Sequence, residues 1–124
     1  MTKTDEELGD INRLAYAEVN RWLGELNDPN VDVSLDDTRL ADFHNQMEQW
    51  FLHLGAQALE NPDSKYKGPF EEAQMAIQKA QSIIGTIREI NDGEYGQTRA
   101  PELLIHVGIA LREASSPLYA VGPI

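Results

Sequence analysis

Four stretches of the chain repeat apolar residues at three- and four-residue steps, and this periodicity constrains the fold more than any other feature. An α-helix turns once in about 3.6 residues, so such a repeat places its apolar side chains along one helix face. No segment of useful length shows the apolar-polar alternation of a half-buried strand. The sequence therefore predicts an all-α protein built from four amphipathic helices.

The first two helices have recognisable start and stop signals. Thr4 and Glu7 have the spacing of a capping box, which predicts a helix over about residues 4–26. Ser34 is the expected N-cap of the second helix, which should end by Asn61 and the proline after it. The apolar stripes of these helices are Leu8, Ile11, Ala15, Val19, Trp22 and Leu26, then Leu40, Phe43, Met47, Trp50 and Leu54.

Prolines and glycines mark the limits of the third and fourth helices. The loop 61–69 should lead into a helix that has Pro69 in its first turn and closes at 91–93, where a glycine follows Asn and Asp. Thr98 is the expected cap of the last helix, and Pro117 its expected end. The stripes here are Ile77, Ala80, Ile84 and Ile87, then Leu104, Val107, Leu111 and Ala114.

The segment after the last predicted helix, SPLYAVGPI, is apolar for an exposed terminus. We expect its large side chains to pack against the body of the protein or against a second subunit. Four helices with short connections predict an antiparallel four-helix bundle with an apolar C-terminal tail, as one domain over residues 1–124. The candidate interface residues in the tail are Leu118, Tyr119, Val121 and Ile124.

The chain is strongly acidic, with 21 Asp and Glu against 10 Lys and Arg and a formal net charge of −11. Nucleic acids are bound largely through Lys and Arg contacts to phosphate, so direct nucleic-acid binding is not expected. An anionic membrane surface would also repel the chain, and no apolar run approaches the roughly 18 residues of a membrane span. A basic protein partner would be attracted.

Cysteine is absent, which excludes disulfides, thiolate metal sites and cysteine nucleophiles. The N-terminal sequence MTKTDEELGD is acidic and has no apolar core, unlike a secretory signal peptide. With no export signal, a cytoplasmic protein is expected.

Histidine and glutamate recur at four-residue steps, and this spacing raises the question of a metal site. His44 and Glu48 share one helix face, as do Glu102 and His106. Two helices that each offer a His and a Glu would supply suitable ligands for a divalent ion. The Glu-x-x-His step of di-iron bundles does not occur, so the alternative is that these side chains are solvated or hydrogen-bonded at helix flanks. No cofactor is predicted.

One acidic pattern resembles that of the MazG-type nucleotide pyrophosphohydrolases, all-α enzymes that hold magnesium with Glu-Glu-x-x-Glu and Glu-x-x-Asp on two helices. Residues 7–10 and residues 89–92 both match the second half of this pattern. Glu71 and Glu72 match the start of the first half, but position 75 is Met where the family has an acid. The resemblance implies that Glu72 and Glu89 help to hold a magnesium ion.

The leading functional hypothesis is a protein-interaction module rather than an enzyme. A well-formed core pattern, few converging polar groups, strong acidity and an apolar tail are typical of an adaptor, inhibitor or regulatory subunit. Its partner would be a protein, with a basic partner or a second copy as the two options. The alternative is a metal-dependent helical-bundle enzyme such as a MazG-like pyrophosphohydrolase.

Overall fold

The computed structural model describes residues 3–28, 37–90 and 94–121. Within these ranges the chain forms four α-helices and no strand. The helices are α1 (Asp5–Leu26), α2 (Asp37–Glu60), α3 (Lys67–Ile90) and α4 (Glu94–Ala120). The predicted all-α four-helix fold is therefore confirmed.

The helices pack in an order that places α3 between α2 and α4, with α1 against the other side of α4. Successive helices run antiparallel, because residues from opposite ends of neighbouring helices meet. Asp37 at the start of α2 pairs with Arg88 near the end of α3, at 2.9 Å. Asp5 at the start of α1 accepts a hydrogen bond from Ser64, just beyond α2, at 3.4 Å.

α1 and α2 touch less than the other neighbours. One polar link between them joins the indole of Trp22 to Gln46, whose Oε1 accepts a hydrogen bond from Nε1 at 2.9 Å and another from Arg21. Trp22 is fully buried, so this bond satisfies a donor that would otherwise be left unpaired in the core.

The core lies along the bundle axis and is built mainly from the predicted stripes, to which Phe70 and Leu118 are added. Each helix turns its apolar face inward because burying apolar side chains is the main favourable term in folding. Buried alanines on α3 and α4, such as Ala80 and Ala110, have small side chains that allow neighbouring helices to pack closely. The largest fully buried side chains are Trp22, Phe70, Leu8, Leu40, Met47, Leu54, Ile77, Ile84, Ile87, Leu111, Leu118 and Val19.

The predicted start of α1 is confirmed in detail. Thr4 adopts an extended backbone, its Oγ1 accepts a hydrogen bond from the Glu7 N–H, and the Glu7 carboxylate accepts one from the Thr4 N–H. Both bonds satisfy donors that a helix start leaves free. The predicted cap at Ser34 and the predicted closure at 91–93 lie outside the described residues.

Both predicted ends of the last helix are wrong, and the predicted loop 61–69 is too long. α3 already begins at Lys67, and Pro69 lies in its first turn, as predicted. α4 begins at Glu94 rather than at a Thr98 cap, and it continues through Pro117 to Ala120. Proline lacks an N–H and is expected to stop a helix, but near a helix end it removes only one backbone bond. The apolar tail is thus largely the last turn of α4.

Candidate functional site

A polar groove of about 490 Å³ lies where the start of α2 meets the end of α3, lined by Asp37, His44, Gly85, Arg88 and Glu89. It brings together two of the predicted metal candidates, His44 and Glu89. The Arg88 guanidinium donates to Asp37, which lowers the pKa of that carboxyl and raises the pKa of Arg88. The Asp37 carboxylate in this groove is therefore already engaged by a cation of the protein itself.

The remaining metal candidates are spread over the bundle. Glu72 and Glu89 are separated by 17 positions on the single helix α3, which is roughly 25 Å. The Glu48 carboxylate on α2 accepts a hydrogen bond from the Gln81 amide of α3. Among the described residues, no group of three His, Asp or Glu side chains is arranged to hold a metal ion.

The His-Glu pair on α4 does not meet the pair on α2, because Glu48, Glu102 and His106 are exposed on their helices and do not point into the core. Glu102 instead accepts a hydrogen bond from Arg99 at 2.8 Å within α4. His106 is exposed on the same helix.

The acidic residues at the start of α1 also have local roles. The Glu7 carboxylate caps the helix at Thr4, and Asp10 forms an ion pair with Arg13. Asp92, the last acid of the other MazG-like match, lies outside the described residues.

The predicted interface residues at the C-terminus have different environments. Leu118 is fully buried in the core of its own chain, and the half-buried Val121 packs against that core. Tyr119 is 60% exposed, and its ring lies 5.9 Å from the ring of Tyr16 on α1. Ile124 lies outside the described residues. Only Tyr119 of these four presents a large exposed surface within the described chain.

A second groove, between α2 and α3, has an apolar edge. Leu52 and Leu59 on α2 are 58% and 82% exposed. They are seven residues apart, so both project from one side of the helix, and Ala56 lies between them. The groove has a volume of about 380 Å³ and is lined by Leu52, Gly55, Ala56, Ala58, Leu59, Lys67, Glu71 and Gln74.

The base of this groove is formed by small residues. An added Cβ at Gly55 would overlap the side-chain amide of Gln74, so the glycine lets α3 come close at this point. The opposite wall carries Lys67 and Glu71, which form an ion pair at 2.6 Å. Because these two charges neutralise each other, the wall presents little net charge to a ligand.

Sequence reasoning did not select Leu52 and Leu59. The apolar stripe of α2 runs through Met47 and Leu54, and the two exposed leucines are rotated away from it. A signal was available, since two leucines at a seven-residue spacing outside the core stripe form a second apolar face. The wall that makes this face a groove belongs to α3, and only the fold places it there.

Comparison of the chain with protein-family models, with curated proteins and with solved structures found no match. Across the described ranges, no helix is both long enough and apolar enough to cross a membrane.

Proposed function

We propose that this protein is an interaction module that binds a helix of a protein partner in the groove between α2 and α3. The proposal is carried by one observation: Leu52 and Leu59 are 58% and 82% exposed on one side of α2, at the edge of the groove between α2 and α3. Adaptors, inhibitors and regulatory subunits act through surfaces of this kind.

The shape of the groove suits a helix. Leu52 and Leu59 are about 10 Å apart along the axis of α2, which corresponds to two helical turns. An amphipathic partner helix presents apolar side chains at the same interval. The small, exposed side chain of Ala56, between the two leucines, leaves room for the partner to approach closely.

Burial of the two leucines supplies a driving force for association. Full burial of a leucine side chain is worth about 1.5–3 kcal/mol relative to its exposure to water. The two side chains would therefore act as anchors, while the polar groups of Gln74 and Glu71 border the contact.

The test compares two double variants of the full chain as affinity baits in an extract of the source organism. Leu52→Ser with Leu59→Ser removes the apolar edge of the groove. Leu14→Ser with Ile109→Ser removes two exposed apolar residues, 62% and 44% exposed, from α1 and α4. We expect a protein that is retained by the wild type and by the second variant and lost with the first.

Direct binding then decides whether the captured protein is a partner. The purified candidate should bind the wild-type chain in calorimetry, and the Leu52/Leu59 variant should bind at least about tenfold more weakly. Equal retention by both variants, or equal loss from both, would contradict docking in this groove.

A further inference from the structure

We infer that two copies of this chain pair through α4, on a surface that is separate from the α2–α3 groove and beyond the proposed function. α4 is apolar on two sides, because it supplies Val107 and Leu111 to the core while Ile105 and Ile109 are 64% and 44% exposed. A helix that packs on one side only usually carries polar residues on the other. The exposed isoleucines therefore mark a second contact surface on α4.

Four exposed residues make up the outer face of α4, namely Glu102, Ile105, Ile109 and Arg112. The two isoleucines are one turn apart, and each lies two positions from the buried Val107, so both project away from the core. Glu102 comes three residues before the first isoleucine and Arg112 three residues after the second, which keeps all four within about 80° of helix rotation. The order along this face is acidic, apolar, apolar, basic.

This order is complementary to itself when two copies of the helix run antiparallel. A two-fold axis then places Ile105 against the partner's Ile109 and Glu102 against the partner's Arg112, and each contact occurs twice. A parallel pair would instead oppose Glu102 to Glu102 and Arg112 to Arg112, which is repulsive. The four residues are symmetric about position 107, the midpoint of α4 (Glu94–Ala120), so the two helices would overlap along their full length of about 40 Å.

The charges on the outer face are available for contacts between copies. The side chain of Arg112 forms no ion pair or hydrogen bond within the described part of the chain. Glu102 pairs through Oε2 with Arg99 at 2.8 Å, but both side chains are largely exposed, and an exposed pair of this kind contributes little. Its carboxylate can therefore accept a second guanidinium.

The acidity of the whole chain does not prevent this contact. Two copies with a net charge of −11 repel each other at long range, but physiological salt screens charges that are more than about 8 Å apart. Arg99, Glu102 and Arg112 together carry a net positive charge, so the outer face of α4 does not share the acidity of the chain. At close range the opposite charges on the two faces attract.

Sedimentation equilibrium of the purified full chain measures the association. We expect the wild type to pass from monomer to dimer as its concentration rises, with a dissociation constant in the micromolar range, because one helix from each copy makes a small interface. Ile105→Ser with Ile109→Ser should weaken the dimer at least about a hundredfold, since four apolar side chains leave the contact. Leu52→Ser with Leu59→Ser is the matched control on α2 and should change the constant less than about twofold.

Charge reversal tests the antiparallel register. Glu102→Arg opposes two arginines at each end of the contact, and Arg112→Glu opposes two glutamates, so each variant alone should dimerise at least about tenfold more weakly than the wild type. An equimolar mixture of the two variants should form a heterodimer with about the wild-type affinity, because every opposed pair is again one acid and one base. The double variant Glu102→Arg with Arg112→Glu should also recover, and it leaves the net charge at −11. Circular dichroism verifies that each variant is folded.

Three outcomes would overturn the inference. The first is a wild-type chain that stays monomeric at millimolar concentration. The second is a dimer that the Leu52/Leu59 variant dissociates and the Ile105/Ile109 variant does not, which would assign the contact to the α2–α3 groove. The third is a pair of charge-reversed variants that dimerise no better when mixed than alone.

The proposed function is tested independently of this dimer. Substitution of Ile109 in its control variant leaves the α2–α3 groove intact. A chain that is monomeric but still retains its partner through Leu52 and Leu59 would overturn the dimer and leave the proposed function standing. A dimer that forms through α4 but retains no partner would do the reverse.

Discussion

The side chain of Asn12 on α1 donates from Nδ2 to the backbone carbonyl of Leu118 in α4, at 3.0 Å and in the buried core. Leu118 lies in the last turn of α4, where the backbone carbonyl groups have no N–H partner within the helix. Asn12 is fully buried, and its own Oδ1 accepts no hydrogen bond within the described part of the chain. This hydrogen bond thus links α1 to the C-terminal end of α4 within the buried core.

Removal of this amide should destabilise the whole bundle. We expect Asn12→Ala to lower the free energy of unfolding by about 1–3 kcal/mol, because the buried Leu118 carbonyl loses a donor. Asn20→Ala is the matched control, since the exposed Asn20 also donates from Nδ2 to a helix carbonyl, that of Tyr16, at 2.8 Å. It should change the free energy by no more than about 0.5 kcal/mol. Urea denaturation measures both, and equal effects would show that the α1–α4 bond is not stabilising.

The same contact explains which helix ends could be predicted from the sequence. The start of α1 was predictable because Thr4 and Glu7 are local to it, and a capping box depends on residues three apart. The end of α4 was not, because Pro117 is locally a stop signal. What holds the last turn in place lies over a hundred positions away, at Asn12 on α1.

The candidate site, too, could be predicted from the sequence only in part. The periodicity of α2 identified its buried face correctly, including Leu54 and Met47. The groove beside Leu52 and Leu59 depends on the approach of α3, which the sequence of α2 does not contain. Pairs of His and Glu at four-residue steps were visible in the sequence, but the fold leaves Glu48, Glu102 and His106 exposed, so these side chains do not converge in the core.

Two leucines on opposite sides of α2 should respond very differently to truncation. Leu54 is fully buried, so Leu54→Ala should cost about 2–5 kcal/mol of unfolding free energy through lost packing and a cavity. Leu59 is 82% exposed, so Leu59→Ala should cost no more than about 0.5 kcal/mol. Thermal and urea unfolding both report the difference. A large loss at Leu59 would show that the side chain is already covered within the folded chain, and the groove would then not be free.

Gly9 and Tyr66 form a contact that should penalise a larger residue. An added Cβ at Gly9 would lie 3.0 Å from the hydroxyl of Tyr66, which is buried. An added Cβ at Gly108 in α4 would meet no atom within 4 Å. We expect Gly108→Ala to stabilise the protein by about 0.8–1 kcal/mol from helix propensity, and Gly9→Ala to gain clearly less.

A second variant identifies the cause of the difference at Gly9. Tyr66→Phe removes the hydroxyl, so Gly9→Ala should recover most of the expected gain in that background. A double-mutant cycle from urea denaturation gives the coupling between the two positions. A coupling near zero would mean that the Tyr66 hydroxyl does not limit the space at Gly9.

The ion pair between Asp37 and Arg88 should give the start of α2 a pH-dependent stability. The hydrogen bond from Arg88 lowers the pKa of the Asp37 carboxyl, so the folded state binds this proton less readily than the unfolded state does. The resulting stabilisation is present above about pH 4, the range of an ordinary Asp pKa, and is lost as the pH falls through the lowered folded-state value. Asp37→Asn should therefore lower Tm slightly at pH 7, and this difference from the wild type should shrink on acidification and in high salt.

The partner variant separates this pair from other titrating groups. Arg88→Gln should remove the same pH-dependent difference, and Asp37→Asn should then have little further effect, because the guanidinium that lowers the carboxyl pKa is gone. Tm is measured by circular dichroism from pH 2 to 7 for the four members of this cycle. Since Asp37 is exposed, both effects should be small. A difference between wild type and Asp37→Asn that persisted at the lowest pH would show that Asp37 stabilises α2 by something other than its charge.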